Sequence, residues 1–138
     1  MRLTGQEARR RLASARVARL ATVSADGLPH LVPITFAVDG DVLYTCVDAK
    51  PKSTPDLRRL RNLRINPAVA VLADHYDDDW STLWWARADG EAAIVEDHAG
   101  MMAPIALLAS RYPQYRDNVP AGPVIAVGVS RWTGWSAT

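Results

Sequence analysis

Between residues 16 and 47 the sequence alternates short β-patterned runs with Asp-Gly turns, and this constrains the fold more than any other feature. Val17 to Val23 reads as a strand and Ala25-Asp26-Gly27 as a turn; Pro29 to Val38 reads as a second strand. In that second run His30, Val32, Ile34, Phe36 and Val38 alternate with Leu31, Pro33, Thr35 and Ala37, the period-2 pattern of a sheet with two distinct faces. Asp39-Gly40-Asp41 turns the chain into a third strand, Val42 to Val47, giving a three-stranded meander of consecutive hairpins. Pro33 cannot donate to a ladder, so its position is an edge, a bulge, or a place where something other than a strand, such as a ligand, lies alongside.

The flanking segments supply helices and further strands. Thr4-Gly5-Gln6-Glu7 fits a capping box, with Leu3 placed to staple onto Ala8, and starts a helix that runs to about Ala15. After Val47 a loop leads to a helix with Thr54 as N-cap and Pro55 at its first position, ended by Asn66-Pro67. Ala68 to Ala73 reads as a strand, and Thr82 to Val95 as a long strand with a bulge at Gly90. Asp97 caps a helical region that ends near Tyr112-Pro113 and contains Pro104. Pro123 to Val129 and Trp132 to Ser136 read as closing strands. The expectation is one α+β domain over residues 1–138, an antiparallel barrel of at least six strands with two or three flanking helices.

Composition narrows the function classes. Sixteen basic side chains face 15 acidic ones, so bulk attachment to nucleic acid or a membrane surface has no electrostatic basis, and any basic function is local. No apolar run reaches the roughly 18 residues of a membrane span, and the first residues lack the apolar core of a secretory signal. Cys46 is the one cysteine, so no internal disulfide forms; a cytoplasmic protein is expected. Of the basic residues only Lys50 and Lys52 are lysines, and the Arg- and Ala-rich composition carries a G+C-rich coding signature. Five Trp are many for the core of so short a chain.

The strongest local signal is Lys50 to Arg64, where Lys50, Lys52, Arg58, Arg59, Arg61 and Arg64 face Asp56 alone. The lysines precede hydroxyl residues at a helix start, where free amides and the dipole favour an anion such as a phosphate. The same residues also fit an exposed helix face and a solvated loop. The aromatics do not interleave with this cluster as a single-strand nucleic-acid platform requires. Trp85 and Arg87, two apart on one strand, share a face and can cover a flat conjugated ring, with Trp84 on the opposite face; packing in a core or at a subunit seam explains them equally well. Arg9-Arg10-Arg11 and Asp77-Asp78-Asp79 read as solvated, and His30, His75 and His98 lack metal-ligand spacing. There is no Gly-rich dinucleotide fingerprint, Walker loop or Ser nucleophile elbow.

The order of helix, β meander, Lys-containing loop and Arg59-Leu60-Arg61-Asn62-Leu63-Arg64-Ile65-Asn66-Pro67-Ala68-Val69 resembles the pyridoxamine 5'-phosphate oxidase-like, split-barrel flavin-binding superfamily. His30-Leu31-Val32-Pro33-Ile34-Thr35-Phe36, Asp74 to Trp80, Leu83-Trp84-Trp85 and Tyr112-Pro113-Gln114-Tyr115-Arg116 look like its branch that uses the deazaflavin coenzyme F420. The resemblance implies a six-stranded split-barrel homodimer with cofactor sites at the interface. Pro33 and Thr35, with Thr45 and Val47, would edge the ring and ribityl chain; Lys50, Lys52, Ser53 and Thr54 would hold the phosphate, and Trp85 with Arg87 would come from the partner subunit. Where many relatives carry Lys three residues before the Asn matching Asn62, this chain has Arg59, so the phosphate cation is Lys52 or Arg59. The implied activity is hydride transfer between F420 and a small conjugated substrate, with no catalytic residue assigned. An FMN-dependent oxidoreductase of the same fold is the alternative, and a non-enzymatic flavin or haem carrier, with His75 as axial candidate, is a third reading.

Overall fold

The structure, a computed structural model, describes residues 1–47 and 57–138. The chain runs α1 (Gly5–Ser14), β1 (Ala18–Val23), β2 (Pro29–Ile34), β3 (Ala37–Asp39), β4 (Val42–Cys46), α2 (Arg58–Ile65), β5 (Ala68–His75), a 3₁₀ turn (Trp80–Thr82), β6 (Trp84–Val95), α3 (His98–Arg111), α4 (Gln114–Asp117) and β7 (Val124–Ser136). Among the described residues the seven strands form one antiparallel sheet in the order β2-β1-β5-β6-β7-β4-β3. The α+β split barrel is thus present, with four helices instead of two or three because the one-turn α4 follows α3.

Three expected strands are redrawn. The run Pro29 to Val38 divides: β2 pairs with β1, β3 pairs with β4, and these two hairpins stand at opposite ends of the sheet order. Only Thr35 and Phe36 separate the two ends, so the sheet curls round and is split there; the expected meander is two hairpins. Side chains, not a ladder, satisfy the backbone at the split. The Thr45 hydroxyl donates to the Thr35 carbonyl (2.8 Å), the Phe36 amide donates to the Tyr112 hydroxyl (3.1 Å), and Arg111 Nη1 donates to the Phe36 carbonyl (2.6 Å). Conversely, the two closing runs fuse into β7. Ser130 is the extra residue opposite the Asp89/Gly90 junction, and its hydroxyl donates to the Asp89 carbonyl (3.1 Å). A Cβ on Gly90 would collide with the Gly128 carbonyl, which is why the bulge carries a glycine.

The helices follow their local signals with two changes. The Thr4 side chain accepts from the Glu7 amide as expected, but the Glu7 carboxylate turns to Arg10 and Arg11 (2.6–2.9 Å), leaving the capping box half closed. Those guanidiniums hold the Glu7 carboxyl down at about 2. Helix α2 begins at Arg58, with Leu57 extended, and so later than a start at Pro55; Thr54 and Pro55 themselves lie outside the described residues. Asp97 accepts from the Gly100 amide (2.8 Å) and opens α3, which carries Pro104 in its interior.

The barrel interior holds Leu12 of α1, Leu20, Phe36, Leu43, Val71, Ile125 and Val127, and Leu60 of α2. Burial of each such side chain contributes roughly 1.5–3 kcal/mol. A smaller cluster of Met101, Leu108, Tyr112, Tyr115, Cys46 and Val124 seats α3 and α4 on the barrel wall beside β3 and β4. The Trp excess resolves by face. Trp84 and Trp132 pack against the core, whereas Trp80, Trp85 and Trp135 are exposed. Among the described residues no helix is long and apolar enough to cross a membrane.

Candidate functional site

The split in the barrel opens onto a cavity of about 390 Å³. Edge strand β2 and the crossover supply Pro33, Ile34 and Thr35; β4 and its end supply Thr45, Cys46 and Val47. Leu57 and Arg59 enter from α2 and its start, Val17 from the approach to β1, and Tyr115 from α4. Pro33 pairs with Arg19 on one side only, because β2 is the end of the sheet order, so its missing donor costs no ladder bond. Five candidates, Pro33, Thr35, Thr45, Val47 and Arg59, are therefore brought together on one concavity. Lys50, Lys52, Ser53 and Thr54 lie outside the described residues; Val47 and Leu57, which flank that segment, both line the cavity.

Hydroxyls occupy one wall. Thr45, buried, donates to the Thr35 carbonyl, and the Thr35 hydroxyl shares a 2.6 Å hydrogen bond with the Tyr115 hydroxyl. On α2 the arginines separate by burial: Arg58, Arg61 and Arg64 are exposed, while Arg59 is half-buried and faces the cavity. Among the described members of the cationic cluster, three thus lie on the exposed side of α2 and one lines the cavity. His30, on β2, has its Nδ1 buried with no hydrogen-bond partner among the described residues; burial, then the charges of Arg58 and Arg59, push its imidazole below its ordinary range. Among the described residues no group of three or more His, Cys, Asp or Glu is arranged to hold a metal ion.

Trp85 and Arg87 lie elsewhere, on the outer face of the sheet. Trp85 stands opposite Trp135 across β6 and β7, and with Leu72 and His75 they line a surface depression of about 470 Å³. A second outer depression, about 650 Å³, is bounded by Arg2, Arg87, Asp89 and Arg131; there Arg87 is already bound to Asp89 at 2.6 Å. Volume alone does not identify the site, because the smaller cavity is the one that gathers the strand-edge proline, the hydroxyls and the half-buried cation.

Sequence reasoning missed Tyr115, Cys46, Ile34, Leu57 and Val17 as lining residues. Tyr115 stood in a quoted motif without a role, since nothing in its spacing shows that α4 folds back onto the barrel split. Asn62 has an internal role: buried, it donates to the buried Thr22 hydroxyl (3.0 Å) and ties α2 to β1.

A family model described as pyridoxamine 5'-phosphate oxidase matches residues 4–136. The chain belongs to the pyridoxamine 5'-phosphate oxidase family. A search of the curated proteins gives no match. Among solved structures, members of the same fold include a conserved hypothetical protein from Mycobacterium tuberculosis (24% identity, 98% of this chain and 86% of that one, TM-score 0.78). A FAD-binding protein from Mesorhizobium loti is similar (24% identity, 97% and 93% covered, TM-score 0.77), as is the heme storage protein from Vibrio cholerae (19% identity, 91% and 86% covered, TM-score 0.67). At these identities the likeness is one of fold.

Proposed function

We propose that this member of the pyridoxamine 5'-phosphate oxidase family is an oxidoreductase that holds a flavin-type cofactor in the cavity at the barrel split. The observation that carries the reading is the donor set there. Pro33, Val47, Leu57 and Val17 offer apolar surface for a flat ring, Thr35 and Tyr115 offer hydroxyls for its polar edge and ribityl chain, and Arg59 offers a half-buried cation for a phosphate. The residues fit the group. When bound, such a cofactor supplies the hydride- or electron-transfer chemistry. The chain's own residues anchor it, fix its orientation against β2 and β4, and shield it from water.

The finer proposal is coenzyme F420, acting on a small conjugated substrate; the motif resemblance and the G+C-rich coding signature support it. FMN is the second reading, supported by the family match and by FAD-binding neighbours in the same fold. Lys50, Lys52, Ser53 and Thr54 are proposed to join Arg59 at the phosphate. A homodimer is proposed as well: Trp85 and Trp135, each 39% exposed, with Leu72 form an apolar stripe on the outer face, and Trp85 and Arg87 on that face would complete the partner's site. The setting proposed is cytoplasmic.

The test is a titration of the purified protein with F420, FMN and haem, followed by absorbance and fluorescence, and then by hydride-transfer assays on the form that binds. Saturable F420 or FMN binding is expected. FMN binding without F420 binding would remove the finer proposal, and haem binding alone would overturn the oxidoreductase reading.

A further inference from the structure

Tyr115 is the one residue of the cavity wall contributed from beyond α2, and the one phenol among the described lining residues. We propose that it is a cofactor-contacting residue: the hydroxyl pair Thr35–Tyr115 hydrogen-bonds the polar edge of the conjugated ring held in the cavity. This rests on the flavin-type reading of that cavity.

Three observations carry it. First, two hydroxyls 2.6 Å apart form an amphoteric pair, able to present either a donor or an acceptor to a ligand. The edge of a flavin or deazaflavin ring mixes carbonyl oxygens with ring N–H, so an amphoteric partner suits it, whereas Arg59, which lines the same cavity, only donates and suits a phosphate. Second, the pair is held in place before any ligand arrives. Thr35 is pinned through its carbonyl by Thr45, and the Tyr115 ring packs edge-on to Tyr112 (5.8 Å between centroids, 70° between planes). Tyr112 in turn is fixed by the Phe36 amide (3.1 Å). Preorganised hydroxyls lose little entropy on binding. Third, α4 is attached by contacts besides the Thr35–Tyr115 pair. Arg116 donates to the Ala109 and Ser110 carbonyls (2.9 and 3.1 Å), and the Tyr115 ring buries against the α3 cluster.

The experiment compares wild type, Tyr115→Phe and Thr35→Val in titrations with FMN and with F420, reading affinity and the absorption band of the bound ring well below each thermal midpoint. Loss of one neutral hydrogen bond predicts affinity weakened about three- to tenfold in each variant, and a shifted band. The double variant should lose no more than the worse single one, since either change breaks the same pair. Wild-type affinity and an unshifted band in Tyr115→Phe, with or without a lowered melting temperature, would overturn the assignment while leaving the flavin reading intact. A wild-type protein that binds neither FMN nor F420 would overturn both.

Discussion

Tyr112→Phe isolates the device that holds the barrel split. The wild-type hydroxyl accepts from the Phe36 amide (3.1 Å) and sits 2.9 Å from the Arg16 carbonyl and 3.1 Å from the Phe36 carbonyl. Removing it has unequal effects on these groups. The Phe36 carbonyl keeps Arg111 Nη1 at 2.6 Å, and the Arg16 carbonyl, on an exposed residue, can turn to water. The amide of fully buried Phe36 is left without its partner. The lost bond costs about 1 kcal/mol and the orphaned amide about 1–2 kcal/mol more, so the variant should be less stable by about 2–3 kcal/mol. At about 4 °C per kcal/mol for a chain of this size, the melting temperature should fall by about 10 °C. Stacking of Arg16 and Arg111 on the ring (5.0 and 5.3 Å) survives in Phe, so packing is not the variable. Urea titration of both proteins measures the difference directly. A loss below about 0.5 kcal/mol at unchanged m would refute the claim that this hydroxyl secures the split.

Gly90→Ala drives a Cβ into the Gly128 backbone and should cost about 3 kcal/mol or more; soluble protein with a near-native melting temperature would show that the bulge yields easily. His30, held below the ordinary imidazole range, favours the neutral ring in the folded state. Its contribution is complete above the unfolded value of about 6.5 and is lost as pH falls through the folded one, so the urea midpoint should decline as pH drops below about 6.5, and His30→Leu should flatten that part of the profile. Arg59→Ala and Lys52→Ala separate the two proposed phosphate cations: if one of them holds a phosphate, its variant should lose roughly tenfold or more in cofactor affinity and the other threefold or less, and equal small losses would refute both assignments.

Turn and cap signals were legible because they are local. The Asp-Gly turns, the Thr4 and Asp97 caps and the glycine at the bulge act over four or five residues, and each stands where the sequence places it. The division of the second strand was not legible. Period-2 alternation continues unbroken from His30 to Val38, and nothing in it records that Thr35 and Phe36 take their partners from Thr45, Arg111 and Tyr112. The same blindness hid Tyr115, whose place on the cavity depends on a helix folding back from 80 residues away. Pro33 was the partial exception: a residue that cannot donate announced an open strand edge, and the candidate cavity lies along it.

The order of the strands also sets a timetable. Residues 42–46 of β4 find their second neighbour in residues 124–128 of β7, and β7 lies between β6 and β4 in the sheet. The β1–β2 and β3–β4 hairpins can form early from neighbouring residues, but the sheet that joins them cannot be completed until nearly the whole chain is available. The extreme amino-terminal residues are then captured in turn, since Leu3 donates to the Gly134 carbonyl and the Met1 ammonium to the Ser136 carbonyl. Folding should accordingly be slow for so small a protein and end in a late, cooperative step, and the candidate cavity at the barrel split takes shape only then.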